Sequence, residues 1–259
     1  MAQRLKLWFA DQVARNLRLP QKGPVGWFTV RAMVKKNSFL EKNAVILCDM
    51  KPDHNVLEIG FGPGVGLESA YNVVKGGSGK VYGIDTSFFM VDTAKRRLTQ
   101  AVKDKKVMLF HGSATHIPLN TDSVHRVFHC NCYYFWPNMR SVMREIYRVM
   151  RPGSVMVTTL NLNSLQMTQK KGFLQYGRPD PVKYMTCLEN FGFENVHLEY
   201  RKDPGTGDPF QVIFAEIKEK PAHDKAMLSD DEDDELEREE MLKDDKVCLK
   251  NLTDKQMVS

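Results

Sequence analysis

Apolar residues follow two different spacings along the middle of the chain. Short apolar runs, typical of buried strands, are separated by segments in which apolar residues recur every three or four positions, as on a helix that faces a core. The runs predict strands at residues 55–60, 80–85, 107–112, 123–131 and 155–162. Strands that alternate with helices indicate βαβ units and a parallel sheet covered by helices on both faces.

The helical segments and the end of the body complete this pattern. Helices are predicted at residues 66–77, 86–102 (capped by Thr86 or Ser87), 138–150 and 180–193. Two further strands are predicted at 195–201 and 210–218, joined by the link KDPGTGD. Because that link is short and rich in turn-forming residues, the final pair should be an antiparallel hairpin.

The two ends of the chain differ from the body. Residues 1–50 predict a helical cap: apolar residues at 5, 8, 9, 13 and 17 share one helix face, and one or two helices follow. Residues 51–220 form the main domain. Residues 221–259 hold thirteen acidic and six basic residues, so the remainder carries +12 although the whole chain carries +5. Dense like charge with few apolar residues predicts a disordered acidic tail.

Composition narrows the class of protein. With 259 residues, of which 42% are hydrophobic, the chain can bury a substantial core. Five scattered cysteines indicate free thiols in a reducing compartment such as the cytoplasm, and the nucleus and mitochondrion remain open. No signal peptide and no apolar run of membrane-spanning length is present in the sequence. Lysine pairs are too short for a nucleic-acid patch, so nucleic acid is disfavoured as a partner.

The stretch VLEIGFGPG, residues 56–64, contains the residues that indicate a ligand-binding loop. Its alternating glycines permit positive φ and the close approach of a ligand at the end of the first strand, before a helix. The third glycine of a dinucleotide-binding G-x-G-x-x-G would fall at Val65 or Leu67, so that motif fails. A carboxylate at Glu58 favours a ligand that carries positive charge.

These residues resemble motif I of class I S-adenosylmethionine (SAM)-dependent methyltransferases, E/D-x-G-x-G-x-G. Asp85 matches the acid that bonds the ribose hydroxyls in that family, and residues 151–154 (RPGS) resemble its K-P-G-G. The resemblance covers about residues 23–218 and is strongest to the type 11 branch, which includes bacterial members with YFWP after the fourth strand, here residues 134–137. It implies a Rossmann-like three-layer α/β sandwich whose seven-stranded, mostly parallel sheet ends in an antiparallel hairpin.

The resemblance also implies the cofactor SAM, a set of site residues and a reaction. The implied cofactor-binding residues are Glu58, Gly60, Phe61, Gly62, Gly64, Asp85, Thr86, Ser113, Ala114 and Asn131. Ser113 replaces the acid that the family often uses toward adenine. The substrate candidates, which lie in the cap or follow the fourth strand, are Trp27, Tyr133, Tyr134 and Trp136. Asn37 is a further candidate in the cap.

The reaction that follows is in-line methyl transfer to a small-molecule acceptor, with no metal. A general base is left open among His111, His116, His129 and Tyr134. Two other hypotheses remain: a non-catalytic SAM- or nucleotide-binding regulatory protein that acts through its acidic tail, and a dinucleotide oxidoreductase, which the glycine spacing disfavours. Ser229, followed by acidic residues, resembles the target of acid-directed kinases.

Overall fold

A seven-stranded sheet forms the centre of residues 2–220, the part of the chain that the computed structural model describes. In chain order the strands are β1 (Val56–Ile59), β2 (Val81–Asp85), β3 (Val107–His111), β4 (Val124–Cys130), β5 (Met150–Leu160), β6 (Glu194–Lys202) and β7 (Pro209–Ile217). Across the sheet their order is β3-β2-β1-β4-β5-β7-β6. The first five strands are parallel, and β7 runs antiparallel to both of its neighbours. The predicted parallel sheet with a closing hairpin is confirmed.

Helices cover both faces of this sheet. They are α1 (Ala2–Arg18), α2 (Pro24–Leu47), α3 (Val65–Val74), α4 (Phe88–Arg97), α5 (Thr99–Lys103), α6 (Met139–Val149), α7 (Leu162–Lys170) and α8 (Pro181–Asn190), with a short 3-10 turn at Tyr133–Phe135. One core contains residues of α2, α3 and α4, and the other contains residues of α6 and α8. The three-layer sandwich is therefore confirmed. Within residues 2–220 no helix combines the length and the apolarity that crossing a bilayer requires.

Two local predictions need correction, and one helix was missed. The single helix expected at 86–102 is divided into α4 and α5 at Leu98, whose φ is −110°. Strand β5 starts at Met150, earlier than predicted, because residues 151–154 belong to the strand as an irregularity in its pairing with β4. Gly153 has a φ of 77° there, which is typical of a bulge rather than a separate turn. Helix α7 was not predicted at all.

The N-terminal segment is attached to the carboxyl end of the sheet. Helix α2 is one continuous helix, and the Thr159 hydroxyl donates a hydrogen bond to its Leu40 carbonyl at 3.1 Å. Helix α1 is held by the Tyr176 hydroxyl, which donates to Asp11 at 2.7 Å. The predicted boundaries at residues 50 and 220 stay predictions, and the acidic segment with Ser229 lies outside the described residues.

Candidate functional site

A cavity of about 730 Å³ opens beyond the carboxyl ends of the parallel strands. Its floor is formed where three neighbouring strands end, by Ile59, Gly60, Ile84, Asp85, Cys130 and Asn131. Residues of α1, α2 and α7 line the other walls. In open α/β sheets ligands bind in this position, where the strand order reverses, and here it reverses between β1 and β4.

The three glycines of the loop after β1 serve different purposes. All have positive φ, namely 65° at Gly60, 51° at Gly62 and 82° at Gly64. A Cβ on Gly64 would lie 2.9 Å from the Cβ of Ala94, so that glycine permits α3 to pack against α4. A Cβ on Gly62 would meet nothing within 4 Å, and Gly62 lines the cavity. Packing therefore explains Gly64, whereas the space beside Gly62 is open to the cavity.

Asp85 connects this loop to the start of α4. Its Oδ2 accepts a hydrogen bond from the Gly62 amide at 2.9 Å, and its Oδ1 accepts one from the Ser87 amide at 2.8 Å. Burial raises the pKa of Asp85, and these two backbone hydrogen bonds oppose the rise. The carboxylate is thus fixed in orientation at the cavity floor, and each oxygen keeps a lone pair for a further donor.

Two more carboxyl groups lie beside the N-terminus of α3. Glu58 is buried against Gly66, whose Cβ, if present, would lie 2.3 Å from Glu58 Oε1. Glu41, on α2, lines the cavity. Oε2 of each has no hydrogen-bond partner among the described residues. Burial raises the pKa of Glu41 to about 8, while burial and the nearby charges of Glu41 and Asp85 raise the pKa of Glu58 well above its usual range.

The cavity brings together nine of the fourteen residues predicted for the cofactor and substrate. Those that line it are Gly60, Gly62, Asp85, Thr86, Ser113, Ala114, Asn131, Tyr134 and Trp136, and the cap candidate Asn37 also lines it. Glu58, Phe61, Gly64, Trp27 and Tyr133 are not among its lining residues. Phe61 is completely buried in the core beneath α3, and Trp27 is 60% exposed on the outer side of α2.

The aromatic run after β4 is divided between cavity and core. The 3-10 turn directs Tyr134 and Trp136 to the cavity, while Tyr133 is completely buried and stacks on Tyr184 with ring centres 4.3 Å apart. A cleft position for Tyr133 is therefore not observed. The sequence grouped Tyr133, Tyr134 and Trp136 as substrate candidates, and it could not separate them without the geometry of the turn.

Of the four candidate bases, only Tyr134 lines the cavity that the described residues form. His129 is completely buried, with Nε2 2.7 Å from the Tyr184 hydroxyl and 2.9 Å from that of Thr158. Burial lowers the pKa of His129 to about 3 and raises the pKa of Tyr134 well above its usual range. His111 and His116 are exposed outside the cavity.

Two polar residues that line the cavity differ in how many of their hydrogen-bonding groups remain without a partner. The Ser113 hydroxyl accepts hydrogen bonds from the amide and the hydroxyl of Thr115, at 3.2 and 2.9 Å, and so shapes the loop after β3. Asn131 has a φ of 51°, and its buried Oδ1 has no partner within residues 2–220. Because Asn131 also lines the cavity, this unpartnered acceptor is suited to a ligand donor.

Comparison with known proteins identifies the class. Residues 57–158 match the type 11 family described as a methyltransferase domain. These residues are therefore a SAM-dependent methyltransferase domain similar to the type 11 family. The chain is 26% identical over 169 residues to the uncharacterized methyltransferase YdaC of Bacillus subtilis, which covers 65% of this chain and 87% of the relative.

Two further relatives extend the comparison. The methyltransferase is 26% identical over 159 residues to a demethylmenaquinone methyltransferase of Bacillus mycoides, spanning 61% of this chain and 64% of that protein. A solved SAM-dependent methyltransferase from Aquifex aeolicus superposes with a TM-score of 0.55 at 18% identity, covering 72% of this chain and 95% of the other. That superposition supports the fold, and the family match supports SAM as the cofactor.

The sequence missed one acidic residue of this methyltransferase's cavity, Glu41. It lies in the segment SFLEKNAVIL, where a single acid between apolar residues has no motif spacing to mark it. Its position beside Glu58 results from the packing of α2 against α3, which no motif spacing in the sequence predicts. The only available signal was a carboxylate on the otherwise apolar side of a helix.

Proposed function

We propose that this methyltransferase binds SAM at the carboxyl ends of β1, β2 and β4 and transfers its methyl group in line to a small-molecule acceptor. The observation that carries the proposal is the cavity at this switch point, with an open Gly62, an oriented Asp85 and buried acceptors without partners. These features fit SAM, which carries positive charge on its amino acid part and donors on its ribose and adenine.

Each cluster of residues has a proposed role in holding the cofactor. Asp85 accepts hydrogen bonds from the ribose hydroxyls, while Gly62 permits backbone contact. Glu41, with Glu58 behind it, attracts the ammonium group, since a nearby cation favours the charged form of a carboxyl. Asn131 accepts a hydrogen bond through its free Oδ1. Thr86, Ser113 and Ala114 border the remaining part. The Ser113 oxygen already accepts two hydrogen bonds from Thr115, so its hydroxyl can offer the cofactor a donor but no further acceptor.

Bound SAM would supply an electrophilic methyl group on a sulfonium. The residues of the chain contribute orientation and the exclusion of water around the two reactants. Proximity and orientation alone supply about 7–11 kcal/mol in favourable intramolecular cases. No histidine lines the cavity among the described residues, and Glu41 is assigned to the cofactor, so the proposal assigns no catalytic base.

A small-molecule acceptor is supported by the enclosure of the cavity. Helices α1, α2 and α7 all contribute lining residues, so the site is covered on the side opposite the sheet. Its volume of about 730 Å³ lies within the range of about 300–1,000 Å³ that is usual for small-molecule sites. One relative, the demethylmenaquinone methyltransferase, is named for a small-molecule acceptor.

Cofactor binding is tested by calorimetric titration of the full chain with SAM, S-adenosylhomocysteine (SAH) and NAD. We expect SAM and SAH to bind and NAD to bind more weakly. Asp85→Asn should weaken SAM about ten- to a hundredfold, because an amide cannot accept hydrogen bonds from Gly62 and Ser87 on both of its atoms. Asp92→Asn, on the exposed side of α4, serves as the control and should bind like the wild type.

Turnover is tested with methyl-labelled SAM and a cell extract separated into small molecules, protein and nucleic acid. Label in the small-molecule fraction is the expected result. Label in protein or nucleic acid would refute the small-molecule acceptor. SAM binding without transfer to any fraction would favour the regulatory hypothesis, and tighter binding of NAD than of SAM would refute the cofactor assignment.

A further inference from the structure

We infer that the methyl acceptor carries an extended apolar part, which binds in a lobe of the cavity enclosed by α1, α2, α7 and the segment after α7. The inference rests on the proposed function, since it names the class of acceptor for the same site. It depends on different residues from those that hold the cofactor. The apolar lobe is defined by Val13, Leu17, Met33, Val34, Leu165 and Leu174.

The side chains of the apolar lobe come from elements that are distant in sequence and converge at the cavity. Val13 and Leu17 lie on α1, Met33 and Val34 on α2, and Leu165 on α7. The six lobe residues are apolar, whereas the cavity floor carries Asp85 and Asn131, and polar side chains of the same helices, such as Asn37 and Thr168, line other parts of the cavity. Polar groups of a ligand in this lobe would lose their hydrogen bonds to water and find no partners there, which costs free energy. An apolar part of a ligand, in contrast, binds more favourably because its surface is removed from water.

The apolar lobe is held in shape by contacts outside it. Phe9 and Phe173 meet edge to face with ring centres 6.4 Å apart, and Arg15 lies 5.6 Å from the ring centre of Tyr176. Together with the hydrogen bond from Tyr176 to Asp11, these contacts attach α1 to the segment after α7. Helix α1, which forms part of the wall opposite the sheet, is therefore packed against the rest of the domain and is not a loosely attached terminal helix.

The mouth of the cavity is also apolar. Phe28 is 64% exposed and Met167 is 58% exposed, and both line the cavity. Exposed apolar side chains at the edge of a cavity are typical of a ligand-binding groove. The charged residues that line the cavity near this edge, Arg18, Lys36 and Lys171, are exposed as well. The exposed part of the lining therefore combines apolar and charged side chains, while the apolar lobe itself carries no charge, and this fits an acceptor with a long apolar part.

The test uses straight-chain primary alcohols of four to ten carbons as probes, titrated into the full chain saturated with SAH. We expect affinity to rise by about fourfold for each added methylene until the apolar lobe is filled. Met33→Gln and Val34→Thr should each reduce the affinity for 1-decanol by about fivefold or more and leave SAH affinity unchanged. Ile46→Gln, on an exposed part of α2 outside the cavity, is the matched control and should alter neither affinity.

Thermal unfolding of each variant checks that it is folded before the titration. Two lobe variants are used so that the test remains possible if one of them does not fold. Affinity that does not depend on chain length, or that is unchanged in both lobe variants, would overturn the inference while SAH binding leaves the proposed function intact. If SAH does not bind the wild type, the proposed function is refuted, and the inference that rests on it is refuted too.

Discussion

At the scale of single residues, neighbouring glycines in one motif have separate physical reasons. The alternation of glycines predicted positive φ at Gly60, Gly62 and Gly64, and all three have it. The sequence could not show that a Cβ on Gly64 would collide with Ala94 while a Cβ on Gly62 would enter open space. The distinction depends on where α4 packs, which is information from a distant part of the chain.

Gly62→Ala should weaken cofactor binding while the protein stays folded. An alanine at a φ of 51° is destabilised by about 1–2 kcal/mol, and its methyl group projects into space that the proposed cofactor occupies. We expect SAM affinity to fall by about tenfold or more, measured by calorimetry. Gly153→Ala is a matched control, because that glycine also has positive φ and open space around it but lies outside the cavity. Equal SAM affinity in both variants would contradict the site.

Glu41 should make the stability of the protein depend on pH. Its folded-state pKa of about 8 exceeds the ordinary value of 4.5, so the folded chain binds this proton more tightly than the unfolded chain does. The resulting stabilisation is complete below about pH 4.5 and is lost as the pH rises toward 8, by at most about 1.4 kcal/mol for each pH unit.

Glu41→Gln imitates the protonated form and should therefore flatten the fall of the thermal midpoint between pH 5 and pH 8. Unfolding is followed by circular dichroism across this pH range. The exposed Glu189→Gln variant controls for the general effect of removing one carboxyl group. If wild type and Glu41→Gln show parallel pH profiles, the Glu41 carboxyl does not hold its proton in the folded state.

At the scale of helices and strands, apolar periodicity predicted the long, buried elements. It failed where side-chain capping or backbone geometry determines whether an element forms and where it begins. The parallel strands, the hairpin and helices α3, α6 and α8 were all predicted. Helix α7 was missed because it has a single buried residue, Leu165, and begins with an Asn161 side chain that accepts from the Ser164 amide at 2.8 Å. This omission matters for function, since α7 supplies part of the cavity wall.

Tyr176→Phe should loosen α1 without loosening the sheet. The variant loses the 2.7 Å hydrogen bond to Asp11, worth about 1 kcal/mol, and keeps the ring against Arg15. We expect amide hydrogen exchange in α1 to accelerate by about fivefold while exchange in β1 stays unchanged. Tyr200→Phe, at an exposed position of β6, is the control. Uniform acceleration in α1 and β1 would show that α1 opens only when the whole domain unfolds.

At the scale of the whole molecule, the sequence predicted the fold and the meeting of the loop after β1 with Asp85, but it did not predict the cavity wall to which α7 contributes. The reason is physical: Glu58, Gly62 and Asp85 lie at the ends of adjacent parallel strands, so chain order implies that they meet. The apolar lobe is formed by α1, α2, α7 and the segment after α7. The packing of these elements depends on individual contacts such as the hydrogen bond between Asp11 and Tyr176. No motif spacing in the sequence predicts such contacts.

The last prediction concerns the end of the folded domain. Strand β7 ends at Ile217, but Lys220 still belongs to the packed structure: its Nζ donates to the Tyr147 carbonyl at 2.6 Å and lies 2.5 Å from Asp122. It also lies 4.8 Å from the ring centre of Tyr147. The acidic composition of residues 221–259, in contrast, predicts that they add no core.

A chain that ends at Lys220 should therefore keep the thermal midpoint and the SAM affinity of the full chain. A chain that ends at Ile217 loses the Lys220 contacts, about 1–3 kcal/mol, and should unfold at a temperature lower by roughly 2–4 °C for each kcal/mol lost. Calorimetry measures both quantities in the two truncated forms. Unfolding or loss of SAM in the longer form would show that residues beyond 220 belong to the domain, whereas equal midpoints in both forms would show that Lys220 contributes nothing to it.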